Sequence, residues 1–230
     1  MTRIIGVLGE FLKEMQNSNP YGLVLKGGTA LSLFHLNTHR ESEDLDFDSD
    51  LANRESWKEI EKYFIGVLKR LKEKGVLEDF KVGKSGLAAT SRYHMKLELK
   101  TYKTFQTKID VDFAKLPNSL KRKGKLLVHT KERIFITKII TFINRNEFKD
   151  LYDISHLLGK IDINKFKHNK NIANLVEQLI NSIEKEDATK LYRLAFRNID
   201  LRFKDLKESE IDYFIRKLIR NLKTLKNRIK

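Results

Sequence analysis

The chain has 230 residues, 40% of them hydrophobic and 33% charged, which is length and apolar content enough for one large core or two modest ones. It contains no cysteine, so disulfides, thiolate catalysis and cysteine-ligated zinc are excluded, and no apolar run approaches the roughly 20 residues of a membrane span. Lys and Arg number 46 against 31 Asp and Glu, a net charge of +15 that attracts polyanions, nucleic acid foremost, although a merely solvated lysine-rich surface gives the same sum.

The opening MTRIIGVLGEFLKEMQ is amphipathic and acid-containing, so it reads as a first helix over residues 4–17 rather than a signal peptide, and a cytoplasmic location is expected. Asn17-Ser18-Asn19-Pro20 breaks it. Tyr21–Leu25 reads as a short strand ended by Gly27-Gly28, and Thr29–Leu36 as one or two helical turns. Asp44–Asp48 alternates polar and apolar residues, as a half-buried strand does. Residues 54–73 place Trp57, Ile60, Phe64, Leu68 and Leu71 on one helical face, with Gly75 as the stop. Strands are predicted near 79–84, 92–102 and 105–113, then a basic loop at Lys121–Lys125. From about 131 onward only helical patterns occur, over 131–145, 149–159, 171–184, 187–196 and 208–229. Strands first and helices after predict an α+β fold: a mixed sheet flanked by helices over residues 1–118, then a helical domain over 119–230, with the boundary in the 117–130 loop.

The most unusual stretch is Glu41–Asp50, ESEDLDFDSD, with six acids in ten residues. Like charges so close repel, and something must compensate them. Alternation puts Asp44, Asp46 and Asp48 on one face of a strand, with Leu45 and Phe47 behind. Carboxylates aimed at one point, together with phosphate oxygens, are what Mg²⁺ sites use. Two other readings stand beside this one. The acids can simply face water. Alternatively Asp44, Asp46, Asp48, Asp50 and Glu55 match the liganding positions of an EF-hand loop, though Ser49 stands where that loop needs glycine. His35 and His39, four apart, lack the glutamate of a zinc-protease helix, so no zinc site is expected.

Upstream, Leu23–Leu31 reads as strand, glycine turn and helix start, a place where backbone N–H groups can bind phosphate. An Asp-x-Asp begins 16 positions after Gly28. Together these resemble the DNA polymerase β-type nucleotidyltransferases. A third carboxylate is then wanted on a neighbouring strand, and Thr107–Phe113 offers Asp110 and Asp112 on one face, with Asp110 the better fixed. The run KGGTAL at 26–31, with Arg40, Ser42, Asp44 and Asp46, resembles more narrowly the AbiEii/AbiGii-type toxins of bacterial toxin–antitoxin pairs, the MenT group included. Their later helical motif is matched at Lys138, Arg145, Lys149, Asp150 and Asp153, with Lys149 in place of the more usual arginine.

The resemblance implies a transfer of NMP from an NTP to a hydroxyl, of RNA and in particular of a tRNA 3′ end, with Mg²⁺ or Mn²⁺ held by Asp44, Asp46 and Asp110. It implies nucleotide contacts at Gly27, Gly28, Thr29, Ser42 and Lys138, with Lys138 offsetting phosphoryl charge. Arg40, Asp112, Arg145, Lys149, Asp150 and Asp153 become further substrate contacts, and a cognate antitoxin is expected. The alternatives left open are transfer to a protein or small molecule, and a non-catalytic RNA- or partner-binding module on the same scaffold.

Overall fold

Alternating apolar and polar residues set the first half of the fold. The computed structural model describes residues 4–37, 40–88, 91–197 and 206–229, and its contacts divide the chain into two units, Met1–Phe34 with Ser42–Thr130 and His35–Glu41 with Lys131–Lys230. The first unit is built on strands β1 (Val24–Lys26), β2 (Leu45–Ser49), β3 (Asp79–Ala88), β4 (Arg92–Lys100), β5 (Thr104–Phe113), β6 (Leu120–Lys123) and β7 (Leu126–His129). They form one mixed sheet in the order β3-β4-β5-β2-β1-β7-β6. β2 lies antiparallel to β1 and parallel to β5, while β1 is parallel to β7.

One face of this sheet is apolar. Leu45 and Phe47 of β2, Tyr93, Met95 and Leu97 of β4, and Ile109 and Val111 of β5 are buried. Helices α1 (Ile4–Asn17) and α3 (Trp57–Glu73) carry matching apolar residues: the Phe64 ring lies 5.7 Å from Phe47 and 6.0 Å from Phe11, and Trp57 lies 5.9 Å from Tyr93. Because side chains alternate along a strand, the opposite face receives the even-numbered residues of β2, β4 and β5, and these are the acids and bases of the site.

The local differences from the sequence reading have identifiable causes. The first strand begins at Val24 because the Asn19 side chain bonds both the N–H and the C=O of Leu23, holding residues 19–23 as a turn. The Asp50 carboxylate accepts from the Ala52 N–H and caps a 3₁₀ segment, Leu51–Ser56, so α3 starts at Trp57. The helix after β1 starts at Gly27, runs as α2 (Gly27–Ala30) and widens into a π turn over Leu31–His35. The basic loop expected at 121–125 is instead the β6–β7 hairpin, turning at Gly124 with φ 60. Its charged strand β6 sits at the sheet edge, where lysines are common because they block further pairing. The sheet-bearing unit therefore reaches Thr130 rather than residue 118, and 35–41 groups with the helical unit.

In the second unit the helices are α4 (Lys131–Arg145), α5 (Phe148–Leu158), α6 (Lys170–Lys185), α7 (Ala188–Arg197) and α8 (Ile211–Ile229). Val176, Leu179 and Ile183 of α6 and Leu218, Leu222 and Leu225 of α8 recur at helical spacing and are buried. Phe148 packs edge-on against Tyr192 at 5.3 Å and tilted against Phe214 at 5.7 Å. Among the described residues no helix is long and apolar enough to cross a membrane.

Candidate active site

The acidic run becomes a central strand, paired on both sides. β2 sets Asp46 opposite Asp110 and Asp48 opposite Asp112 across the parallel β2–β5 pairing. This removes the EF-hand reading: Asp46 and Asp48 lie in a sheet, and Asp50 caps a 3₁₀ turn. Glu55 pairs with Arg54 at 2.6 Å in that turn.

Two tiers of carboxylates result. In the first, Asp110 is 2.6 Å from His94 Nδ1, its cross-strand neighbour on β4, and accepts from Lys108 Nζ at 2.9 Å. Lys108 also lies 3.7 Å from Asp44. Burial alone would raise the Asp110 pKa, but the contacts with His94 and Lys108 outweigh it and hold the carboxyl below its ordinary range. Lys108 is correspondingly pushed up: burial acts downward, and Asp110 and Asp44 more than reverse it. In the second tier, Lys26 Nζ bridges Asp48 and Asp112, at 2.6 Å from the latter. Asp112 also accepts from Arg92 at 2.5 and 3.2 Å, and Asp48 lies 3.0 Å from His129 Nε2. Burial would lift Asp48, yet His129 and Lys26 together lower it.

As the side chains stand, no three His, Cys, Asp or Glu groups among the described residues are gathered closely enough to hold a metal ion. The Lys108 ammonium, 3.7 Å from Asp44 and 2.9 Å from Asp110, supplies compensating charge to both. The donor chemistry nonetheless fits a hard cation, since Asp46 and Asp110 offer carboxylate oxygens from adjacent strands and Asp44 from the residue just before β2.

The glycine turn lies directly against this tier. Gly27 has φ 70, and a β-carbon on it would come within 2.5 Å of Asp46 Oδ2. Thr29 Oγ1 donates to the Asp44 carbonyl and lies 2.9 Å from Ser42 Oγ. Both hydroxyls are thus used to tie the turn to the start of β2, a role the sequence reading did not give them. Gly28, Thr29 and Ser42 are all buried.

The residues of the later helical motif meet one another in the second unit. Lys138 contacts Asp150 at 2.8 Å and Asp153 at 2.7 Å. Arg40 forks onto Asp153 at 2.6 and 2.8 Å, and Arg145 onto Asp150 at 2.9 and 3.1 Å. Asp150 and Asp153 are fully buried. The alternating row Arg40–Asp153–Lys138–Asp150–Arg145 satisfies both carboxylates, which is what burial of charge requires. Burial alone would lower the Lys138 pKa, but Asp153 and Asp150 raise it. Lys149 stands apart from the row and pairs with Glu147 at 2.6 Å. His39 lies outside the described residues.

Sequence reasoning missed His94, Lys108, Arg92 and His129, and quoted Lys26 in the KGGTAL run without giving it a role. Register could have suggested two of them: His94 shares the polar face of its strand, and Lys108 precedes Asp110 by two.

A family model for the AbiEii nucleotidyltransferase toxin of type IV toxin–antitoxin systems matches residues 10–224. The chain belongs to the AbiEii nucleotidyltransferase toxin family. The match spans both units, so it covers the glycine turn, the acidic strand and the buried ion row alike. No curated protein matches. Among solved structures, a Helicobacter pylori protein described as a nucleotidyltransferase superimposes with a TM-score of 0.70 at 20% identity, covering 98% of this chain and 94% of its own. The protein JHP933 from Helicobacter pylori gives 0.66 at 20% identity, covering 97% and 90%. Both share the fold. MenT4, a nucleotidyltransferase toxin from Mycobacterium tuberculosis, gives 0.47 at 15% identity, covering 96% and 92%. AbiEii membership makes this chain a toxin nucleotidyltransferase, with an NTP as substrate and a cognate antitoxin implied.

Proposed function

We propose that this AbiEii-family enzyme transfers NMP from an NTP to a hydroxyl of RNA, a tRNA 3′ end in particular, using Asp44, Asp46 and Asp110 to hold Mg²⁺ or Mn²⁺. The observation that carries this reading is the approach of Asp46 to the bare Cα of Gly27, which sets a carboxylate against the turn whose N–H groups would receive phosphate. A bound divalent cation would supply charge neutralisation at the triphosphate and acidify the attacking hydroxyl. The chain's own residues do the rest. Gly27 and Gly28 let the triphosphate approach the backbone. Thr29 and Ser42 keep the turn in register with Asp44. Asp110, held ionised by His94 and Lys108, would orient the acceptor hydroxyl and accept its hydrogen bond. An RNA acceptor is favoured by the +15 net charge.

The test is incubation of the purified protein with total tRNA, Mg²⁺ and each NTP labelled at its α-phosphate, beside Asp46→Asn. Label entering RNA with wild type and absent with Asp46→Asn is expected. Label entering only protein or a small molecule would displace the RNA reading, and undiminished transfer by Asp46→Asn would remove the site.

A further inference from the structure

The two carboxylate tiers are chemically alike but differently compensated. Asp46 faces Asp110, and two residues further along the same strands Asp48 faces Asp112. The second pair has a cation of its own: Lys26 Nζ reaches Asp48 on β2 and Asp112 on β5 at once. Lys26 is itself the last residue of β1, stands opposite Asp46 in the β1–β2 register, and is followed at once by Gly27. One ammonium therefore fastens three strands at the point where they present the glycine turn, Asp46 and Asp110. Arg92 from β4 pairs with Asp112, and His129 of β7 lies 3.0 Å from Asp48.

We propose that Lys26 is a positioning residue for the first tier, holding β1, β2 and β5 in the register that aims Asp46 and Asp110 at a common cation beside Gly27. This rests on the reading of Asp44, Asp46 and Asp110 as the metal-binding set. Without the ammonium, Asp48 and Asp112 repel across the pairing that also sets Asp46 against Asp110. Loss of a group that supports metal ligands typically costs about 10–100-fold in metal affinity or activity.

The experiment is calorimetric titration of the whole protein with Mn²⁺ alone, for wild type, Lys26→Met and Lys26→Arg. It is paired with thermal unfolding and with kcat and KM for the transferred NTP. The expected result for Lys26→Met is Mn²⁺ binding weakened at least about tenfold, with kcat reduced similarly and more than KM is raised. Lys26→Arg, which keeps a cation able to fork between two carboxylates, recovers most of the affinity. If Lys26→Met does not fold, Asp112→Asn loosens the same clamp from its other end and is expected to weaken Mn²⁺ in the same way. A variant that melts earlier yet binds Mn²⁺ and turns over as wild type does would overturn the proposal and leave the site reading intact. A wild type that binds no Mn²⁺ would instead bring down the site reading, and this inference with it.

Discussion

Asp46 Oδ2 occupies the space where a β-carbon of residue 27 would be, 2.5 Å from its ideal position. Only glycine lets the turn and the acid come this close, and the backbone there, at φ 70, is one that side chains disfavour. Gly27→Ala is therefore expected to lose about 1–2 kcal/mol from the left-handed conformation. It is also expected to drive Asp46 or the turn aside, and displacements near 1 Å at a reacting centre cost about 100-fold in rate. Urea unfolding measures the first effect and NMP transfer the second. Transfer within a factor of about two of wild type would mean the close approach is not used.

The buried ion row yields a different kind of prediction. Lys138 contacts Asp150 and Asp153 at once, and both carboxylates are fully buried. Lys138→Met leaves two anions with the forks of Arg40 and Arg145 but without their shared cation. Breaking a buried pair by removing one partner costs about 3–5 kcal/mol, and urea unfolding should show a loss of that order. Asp150→Asn with Lys138→Met should cost less than the two single changes added together, because the second removes the charge the first stranded. Strict additivity would show that the row is not coupled.

How much of this is legible in the sequence depends on whether a signal is periodic or spatial. β2 reads clearly because acids and apolar residues alternate through DLDFDS, and α1 because its apolar residues keep helical spacing. The β6–β7 hairpin does not, because an edge strand made of Leu-Lys-Arg-Lys has no apolar face to reveal it. Lys138, Arg145, Asp150 and Asp153 are legible as a motif through helical spacing, yet their mutual neutralisation, with Arg40 joining from about a hundred residues away in sequence, is a tertiary fact. Lys26 is the clearest case. Its position before the glycine turn is obvious, but its bridge to Asp48 and Asp112 requires the strand order β5-β2-β1, which no local pattern encodes.

Acid sensitivity of the sheet unit can be read at Glu14. This buried α1 carboxylate accepts from Lys74 and, at 3.1 Å, from Arg70, joining α1 to the end of α3. Lys74 first and Arg70 next hold its pKa below the ordinary glutamate range, against the upward push of burial. A depressed carboxyl stabilises the fold fully above its unfolded pKa of about 4.3 and loses that contribution as pH falls through the folded value. Both basic partners, Lys74 and Arg70, are well exposed, so the effect is capped at about 1 kcal/mol. Glu14→Gln should lower the urea midpoint at neutral pH, and the gap from wild type should close below about pH 4. A gap that stayed constant with pH would assign the loss to packing.

The helical unit supplies the surface on which an RNA acceptor can be tested. α8 carries six Lys and Arg against one acid, Asp212. Lys223 and Lys226 are paired with Glu184 and Glu177. Arg216, Lys217 and Arg220 are exposed and make no ion pair among the described residues, with Tyr213 exposed one turn before them. Phosphate contacts release counterions, so each lost contact flattens the salt dependence of binding by about 0.7–0.9 in log–log slope. Changing Arg216, Lys217 and Arg220 together to alanine should weaken tRNA binding and reduce that slope by about two, while the KM for NTP stays at its wild-type value. The residues are solvent-facing, so the melting temperature should hold. An unchanged slope would mean that RNA, if it is the acceptor, docks elsewhere, and the β6 edge with Lys121, Arg122 and Lys123 is then the surface to change next.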